Sequence, residues 1–143
     1  MGKVQILAVL TMDGCLSSEL YDKAHQDLCL DRCGLDEIRK KAFYRVTPDY
    51  SISMLHEWRK DCTNIRYLAE ATPDTADYIN GLLRMHAVDE IILYTVPFIS
   101  GSGRHFFKSA LPEQHWTLSS LKSYPNGVCR IIYILPVGGI NLS

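Results

Sequence analysis

The stretch from Val88 to Gly103 constrains the fold more than any other part of the sequence. Its centre is a nearly continuous apolar run, Ile91 to Ile99 (IILYTVPFI). Such a run is typical of a strand covered on both faces, as in a parallel sheet. Pro97 cannot donate a ladder hydrogen bond, so the strand is expected to end or break there. Gly101 and Gly103 then favour a tight turn or a close backbone approach.

Five other runs also predict strands, because they are apolar or alternate between apolar and polar residues. They are Val4 to Leu10, Ala42 to Val46, Asn64 to Ala69, Trp116 to Tyr124 and Val128 to Leu135. The last two flank Asn126 and Gly127, a strong hairpin signal.

Helices are predicted between these strands. The first begins with Ser17 or Ser18 as its cap and ends near Gly34, and a short helical turn is predicted over Leu35 to Lys41. A second begins at Ser51 or Ser53. In a third, Thr72 is the predicted N-cap and Pro73 takes the first helical position.

The order of these elements predicts the fold class. Strands alternating with helices, followed by a hairpin, indicate one α/β domain over residues 1–143. We expect a mainly parallel sheet, helices on both faces and an antiparallel C-terminal hairpin. The 143 residues are 47% hydrophobic, which suits a single core.

Charge and cysteine content exclude several classes of function. The formal net charge is −1, which does not suggest nucleic acid or an anionic membrane as a partner. Five cysteines without metal-ligand spacing favour free thiols and no metal site. The N-terminus reads directly into a strand rather than a signal peptide, so we expect a cytoplasmic protein.

Two blocks of sequence resemble the dihydrofolate reductase-like superfamily, most of all the reductase (C-terminal) domain of the bacterial riboflavin-biosynthesis bifunctional deaminase-reductase. The first block is the turn Thr11 to Gly14 (TMDG), which follows the first strand. The second is Ala87 to Glu90 (AVDE), then Pro97 and the turn Gly101 to Gly103. The resemblance implies the dihydrofolate reductase-like fold, shortened between Gly34 and Lys60.

The resemblance also implies a function. It suggests an NADPH-dependent reductase of the riboflavin or folate pathway type, acting on a pyrimidine- or pterin-type heterocycle and forming a homodimer. The candidate substrate-binding residues are Ala8, Asp13, Gly14, Leu16 and Asp22, and the cofactor-binding candidates are Ala69, Glu70, Ala71 and Thr72. No catalytic residue is assigned. The dimer is expected to bury apolar residues of the C-terminal strands, among them Ile131, Tyr133 and Leu135.

One segment departs from the family pattern. The family places a Gly-Gly pair against the cofactor pyrophosphate, but this chain has no glycine in the corresponding stretch, Tyr67 to Asp74. Glu70 and Asp74 are expected to repel phosphate, and Pro73 lacks an N–H donor. The alternative is therefore a degenerate family member without NADPH binding, which serves as a small-ligand-binding or dimeric assembly module. The turn at Gly101 could likewise bind phosphate or be only a tight turn.

Overall fold

The computed structural model describes residues 2–16, 33–61, 65–97, 99, 101, 104–108 and 110–135. Within these ranges the chain forms eight strands and three helices. The strands are β1 (Lys3–Leu10), β2 (Cys15–Leu16), β3 (Tyr44–Arg45), β4 (Arg66–Glu70), β5 (Glu90–Thr95), β6 (Arg104–His105), β7 (Thr117–Ser123) and β8 (Cys129–Ile134). The helices are α1 (Leu35–Lys41), α2 (Ile52–Asp61) and α3 (Ala76–Arg84).

Six of the strands form the main sheet, in the order β3-β4-β1-β5-β8-β7. The four strands from β3 to β5 are parallel, whereas β8 and β7 are antiparallel. This confirms the predicted α/β class, and all six predicted strands lie in this sheet. The remaining pair, β2 and β6, forms a separate two-stranded sheet that the sequence analysis missed, because two residues give no readable period.

Strand β1 lies at the centre of the parallel part and pairs on both edges, with β4 and β5. Its residues from Val4 to Leu10 are all buried, which explains why the apolar run shows no alternation. Val4 and Ile6 pack in the core cluster that includes residues of α2 and α3. Leu7 and Val9 point to the opposite face and pack with Leu35 of α1.

The predicted start of the third helix is wrong by three residues. Helix α3 begins at Ala76 with Thr75 at the N-cap position, not with Thr72. Thr72 and Thr75 instead bond to each other: the Thr72 N–H donates to Thr75 Oγ1 at 2.8 Å, and the Thr75 N–H to Thr72 Oγ1 at 3.2 Å. These bonds build a turn before the helix. The other two helices agree with prediction, and the helix predicted from Ser17 or Ser18 lies outside the described residues.

The C-terminal hairpin forms as predicted. Gly127 has φ of 89°, a conformation that glycine adopts without strain, and the Tyr124 N–H donates to the Val128 carbonyl at 2.9 Å. A bulge in β7 lies between Leu118 and Ser120. None of the described helices is long and apolar enough to cross a membrane.

Candidate ligand site at the carboxyl ends of the parallel strands

Three parallel strands end side by side at one edge of the main sheet: β1 at Leu10, β4 at Glu70 and β5 at Thr95. In open α/β sheets, ligands bind in the crevice beyond the carboxyl ends of the strands. The loops that follow these three strands therefore form the candidate site. They contain four of the nine residues that the sequence analysis selected: Asp13, Gly14, Ala71 and Thr72.

The loop after β1 is a closed turn from Thr11 to Cys15. The Gly14 N–H donates to the Thr11 carbonyl at 2.9 Å, and the Cys15 N–H donates to Thr11 Oγ1 at 3.0 Å. The Thr11 hydroxyl is also hydrogen-bonded to the carboxylate of Asp13. Gly14 has φ of 76°, so a residue with a side chain would be strained there. The turn is thus held in one conformation by its own groups.

The loop after β5 is joined to this turn. The Gly101 N–H donates to Asp13 Oδ2 at 3.0 Å, and the Phe106 N–H donates to the Gly14 carbonyl at 3.1 Å. The β2–β6 pairing adds the antiparallel contact between Cys15 and His105. Asp13 therefore connects two loops 88 residues apart in sequence, and its carboxylate holds them together.

A thiol and an imidazole meet where the two loops join. Cys15 Sγ lies 3.8 Å from His105 Nδ1, and Cys15 is buried. Burial raises the pKa of the Cys15 thiol, and the negative charge of Asp13 raises it further. A raised pKa favours the neutral thiol, whereas nucleophilic cysteines need a stabilised thiolate. The contact between Cys15 Sγ and His105 Nδ1 lies within hydrogen-bond distance for a thiol and joins the two loops.

Glu70, at the end of β4, is bound by two arginines. Its carboxylate accepts hydrogen bonds from Arg39 Nη2 at 2.8 Å and Nε at 3.2 Å, and from Arg45 Nη1 at 2.7 Å. Two positive charges thus surround one negative charge. This corrects the expectation that Glu70 repels phosphate, because the three side chains together carry a net charge of about +1.

The turn after β4 has few N–H donors left for a ligand. The Ala71 N–H donates to the Leu7 carbonyl at 2.8 Å, and Pro73 has no N–H. The N–H groups of Thr72 and Thr75 donate to each other's hydroxyls, and Thr75 Oγ1 donates to the Glu70 carbonyl at 2.8 Å. A pyrophosphate site at such a turn requires free amides aimed at the anion. The N–H groups of Ala71, Thr72 and Thr75 are therefore not free to bind a pyrophosphate.

The structure places the sequence-predicted residues in different environments. Asp13 and Gly14 form the loop after β1, whereas Ala8 and Leu16 are buried in the core at 1% and 4% exposure. Asp22 lies outside the described residues. The predicted cofactor residues lie together at the end of β4 and in the turn that follows it. Ala69 and Ala71 are buried, Glu70 is partly exposed and Thr72 is exposed. Their roles in binding remain predictions.

The sequence analysis did not identify Asn80, whose side chain holds the loop after β6 through hydrogen bonds to its backbone. This side chain in α3 is fully buried, and its Nδ2 donates to the carbonyls of Ala76 and Phe106 at 2.8 and 2.7 Å. Its Oδ1 accepts the Lys108 N–H at 3.0 Å. The sequence pattern that could have identified Asn80 is a polar residue beside Ile79 within the apolar stripe of a helix.

Metal chemistry finds no support in the part of the chain that the structure describes. No group of three or more His, Cys, Asp or Glu residues there is arranged to hold an ion.

Comparison with known proteins adds information about the fold. No protein-family model and no curated protein matches the chain. Among solved structures it resembles a protein from Shewanella sp. PV-4 described as a riboflavin biosynthesis protein, with a TM-score of 0.55 and 11% identity, covering 92% of this chain and 98% of that one. It also resembles RibD from Acinetobacter baumannii, with a TM-score of 0.57 and 12% identity over 94% of this chain.

This chain spans 58% of the length of the Acinetobacter protein, and a second form of that protein gives a TM-score of 0.52. At 11 to 12% identity these comparisons speak to the fold and not to the activity. The six-stranded sheet of this chain therefore shares its fold with these two solved structures.

Proposed function

We propose that this protein binds a small heterocycle of the pyrimidine or pterin type at the carboxyl ends of its parallel strands, without NADPH at the turn after β4. The observation that carries the proposal is the hydrogen bonding of that turn. The N–H groups of Ala71, Thr72 and Thr75 are all taken within the protein. The protein would then be a ligand-binding module built on a reductase fold.

The type of ligand is inferred from the fold and the place of the site. The relatives are described as a riboflavin biosynthesis protein and as RibD. The crevice beyond β1, β4 and β5 is where folds of this kind bind ligands. Asp13 joins the loops after β1 and β5, so a ligand would meet a preformed wall on that side and lose little free energy in ordering it.

A second candidate function is the NADPH-dependent reductase that the resemblance implies. The specific observation in its favour is the pair Arg39 and Arg45, which leaves a net positive charge around Glu70 beside the turn. An anionic cofactor would have to take its phosphate contacts from these side chains rather than from the backbone. The two functions differ in one measurable property, the affinity for NADPH.

Calorimetric titration separates the two candidates. We would titrate NADPH at low salt into the wild-type protein and into the double variant Ala71→Gly, Thr72→Gly, which restores a glycine pair. Pterin and 5-aminouracil would be titrated into the same wild-type sample without NADPH. The matched control is Asp49→Asn, because Asp49 is an exposed carboxylate outside the site.

The proposal predicts saturable binding of pterin or 5-aminouracil and an NADPH dissociation constant far above micromolar. Micromolar NADPH binding by the wild-type protein would refute it and support the reductase. Absence of binding by both heterocycles would also refute it and leave the dimeric assembly module. Gain of NADPH affinity in the glycine variant would show directly that this turn blocks the cofactor.

A further inference from the structure

A separate cavity of about 200 Å³ lies on the α1 side of the main sheet. Gln5, Arg66 and Glu90 line it from the first halves of β1, β4 and β5. Those positions lie toward the amino ends of the parallel strands, whereas Arg130 pairs with Tyr94 near the carboxyl end of β5. The cavity shares none of its lining residues with the candidate ligand site and is therefore a distinct feature of the molecule.

The most unusual group in its lining is Arg130 of β8. Its Nε is buried and has no hydrogen-bond partner. The rest of the guanidinium packs near Gly34: a Cβ added to that glycine would lie 3.0 Å from Arg130 Nη1 and close to the hydroxyls of Tyr94 and Tyr124. Both hydroxyls donate to the Cys33 carbonyl, at 2.8 and 2.7 Å.

No ion pair joins Arg130 to a carboxylate of the residues that the structure describes. A buried donor on a cation without a partner costs free energy unless something binds it. Arg130 therefore brings to the cavity lining a positive charge that has no carboxylate partner among the described residues, and an anionic ligand would balance it.

The other charges of the cavity favour an anion of low charge. Lys41 and Arg66 add two positive groups to Arg130, and Glu37 and Glu90 supply two negative groups. Glu90 already accepts a hydrogen bond from Gln5 Nε2 at 3.0 Å. With three cations against two carboxylates, the cavity carries a net charge of about +1, which matches one monoanion rather than a doubly charged phosphate.

The remaining wall is apolar. Ile38, Ile92 and Ile132 line it from α1, β5 and β8. An apolar cavity of about 150 Å³ is large enough for benzene, so this cavity has room for an aromatic or branched aliphatic body with one charged group. We propose that it binds a small organic monocarboxylate, with the carboxylate on Arg130 and Lys41 and the apolar body against the three isoleucines.

The test is methyl NMR on isoleucine-labelled protein titrated with benzoate, and separately with benzamide, which has a similar shape and no charge. Benzoate should shift the methyl signals of Ile38, Ile92 and Ile132 saturably, whereas Ile6 and Ile79, which pack in the core cluster of the other face, should not move. Benzamide should bind at least about tenfold more weakly, since a hydrogen bond to a charged partner is worth that factor or more.

Two variants locate the charge that binds. Arg130→Gln should weaken benzoate binding at least about tenfold. Arg130 is partly buried, so replacing it also affects the stability of the fold. Lys41→Gln, at the exposed end of α1, therefore provides a second test, with an expected loss of benzoate affinity of about two- to fivefold. Lys40→Gln is the matched control: it removes the same charge from the same helix but does not line the cavity.

Saturable shifts at the three isoleucines, with weaker binding in Lys41→Gln and unchanged binding in Lys40→Gln, would support the proposal. Equal binding of benzoate and benzamide would overturn it, as would benzoate shifts confined to the other face or no saturable shift at all. Equal losses in Lys41→Gln and Lys40→Gln would overturn it too, because they would indicate only a general effect of surface charge. None of these outcomes depends on NADPH or on a heterocycle, so this proposal stands or falls separately from the proposed function.

Discussion

Arg39 binds the carboxylate of Glu70 through two nitrogens of its guanidinium, with Nη2 at 2.8 Å and Nε at 3.2 Å from Glu70 Oε1. The two residues are 31 positions apart and bring α1 to the end of β4. Both side chains are 23% exposed, so solvent screens this pair less than a surface ion pair. Arg45 completes the cluster at 2.7 Å from Oε2.

Glu70→Gln should lower the free energy of unfolding by about 1–2 kcal/mol, because charge-assisted hydrogen bonds to two arginines are lost. Urea denaturation measures the change. Asp36→Asn is the control, since it breaks the exposed pair with Lys40 one helical turn away and should cost at most about 0.5 kcal/mol. Equal losses in the two variants would contradict the importance of the Glu70 cluster.

Asn80→Ala should be more destabilising, by about 2–4 kcal/mol. The variant leaves the Phe106 carbonyl and the Lys108 N–H without the partner that α3 provides. Chemical denaturation would give the loss, and hydrogen exchange should show faster exchange of the Lys108 amide. Asp77→Ala, exposed on the same helix, should have a much smaller effect. A loss below about 1 kcal/mol in Asn80→Ala would contradict this role.

We expect the free energy of unfolding to depend on pH through Asp89. Burial raises its pKa above the usual 3.8, although the Val4 N–H donates to Oδ2 at 2.9 Å and Arg59 lies 3.5 Å from Oδ1. A raised folded-state pKa means that the folded protein holds the proton more tightly. The stabilisation from protonated Asp89 is present below the pKa that this residue has in the unfolded chain. It is lost as the pH rises through the pKa that it has in the folded protein.

The comparison is with Asp89→Asn, which has no carboxyl group to titrate at this position. The unfolding free energy of the wild type minus that of the variant should be highest at about pH 3 and fall as pH rises from about 4 toward 7. Urea denaturation of both proteins across this range measures the difference. A difference that grows with pH would show that Arg59 and Val4 outweigh burial.

The β7–β8 hairpin predicts a homodimer. The bulge between Leu118 and Ser120 lets Leu118 pair with Tyr133 and Leu121 with Ile131, so all four side chains lie on one face of the hairpin. Leu118 and Leu121 are 52% and 63% exposed. An edge strand with such apolar residues is suited to pairing with a second copy of the chain.

Light scattering at micromolar concentration should give the mass of a dimer for the wild type and of a monomer for Leu121→Lys, since a buried lysine would oppose association. Lys122→Glu, which changes a charge on the neighbouring residue of β7, is the control and should leave more of the dimer intact. A wild-type monomer would contradict the prediction.

The sequence by itself determined the main elements of the fold. The apolar run of β1, the run around Ile91 and the hairpin at Asn126 and Gly127 each depend on residues close together in the chain, so local patterns identify them. The parallel sheet followed from their order. The start of α3 was misplaced by three residues, because the bonds between Thr72 and Thr75 compete with the expected cap.

Only the tertiary structure decided the chemistry of the site. The pairing of β3 with β4 sets Arg45 opposite Leu68, close enough to Glu70 to neutralise its charge, and no local pattern contains that register. The contact of Cys15 with His105 also joins residues 90 positions apart in sequence. Helices and strands arise from short-range periodicity, whereas the charge and hydrogen bonding of a site arise from long-range packing that periodicity does not encode.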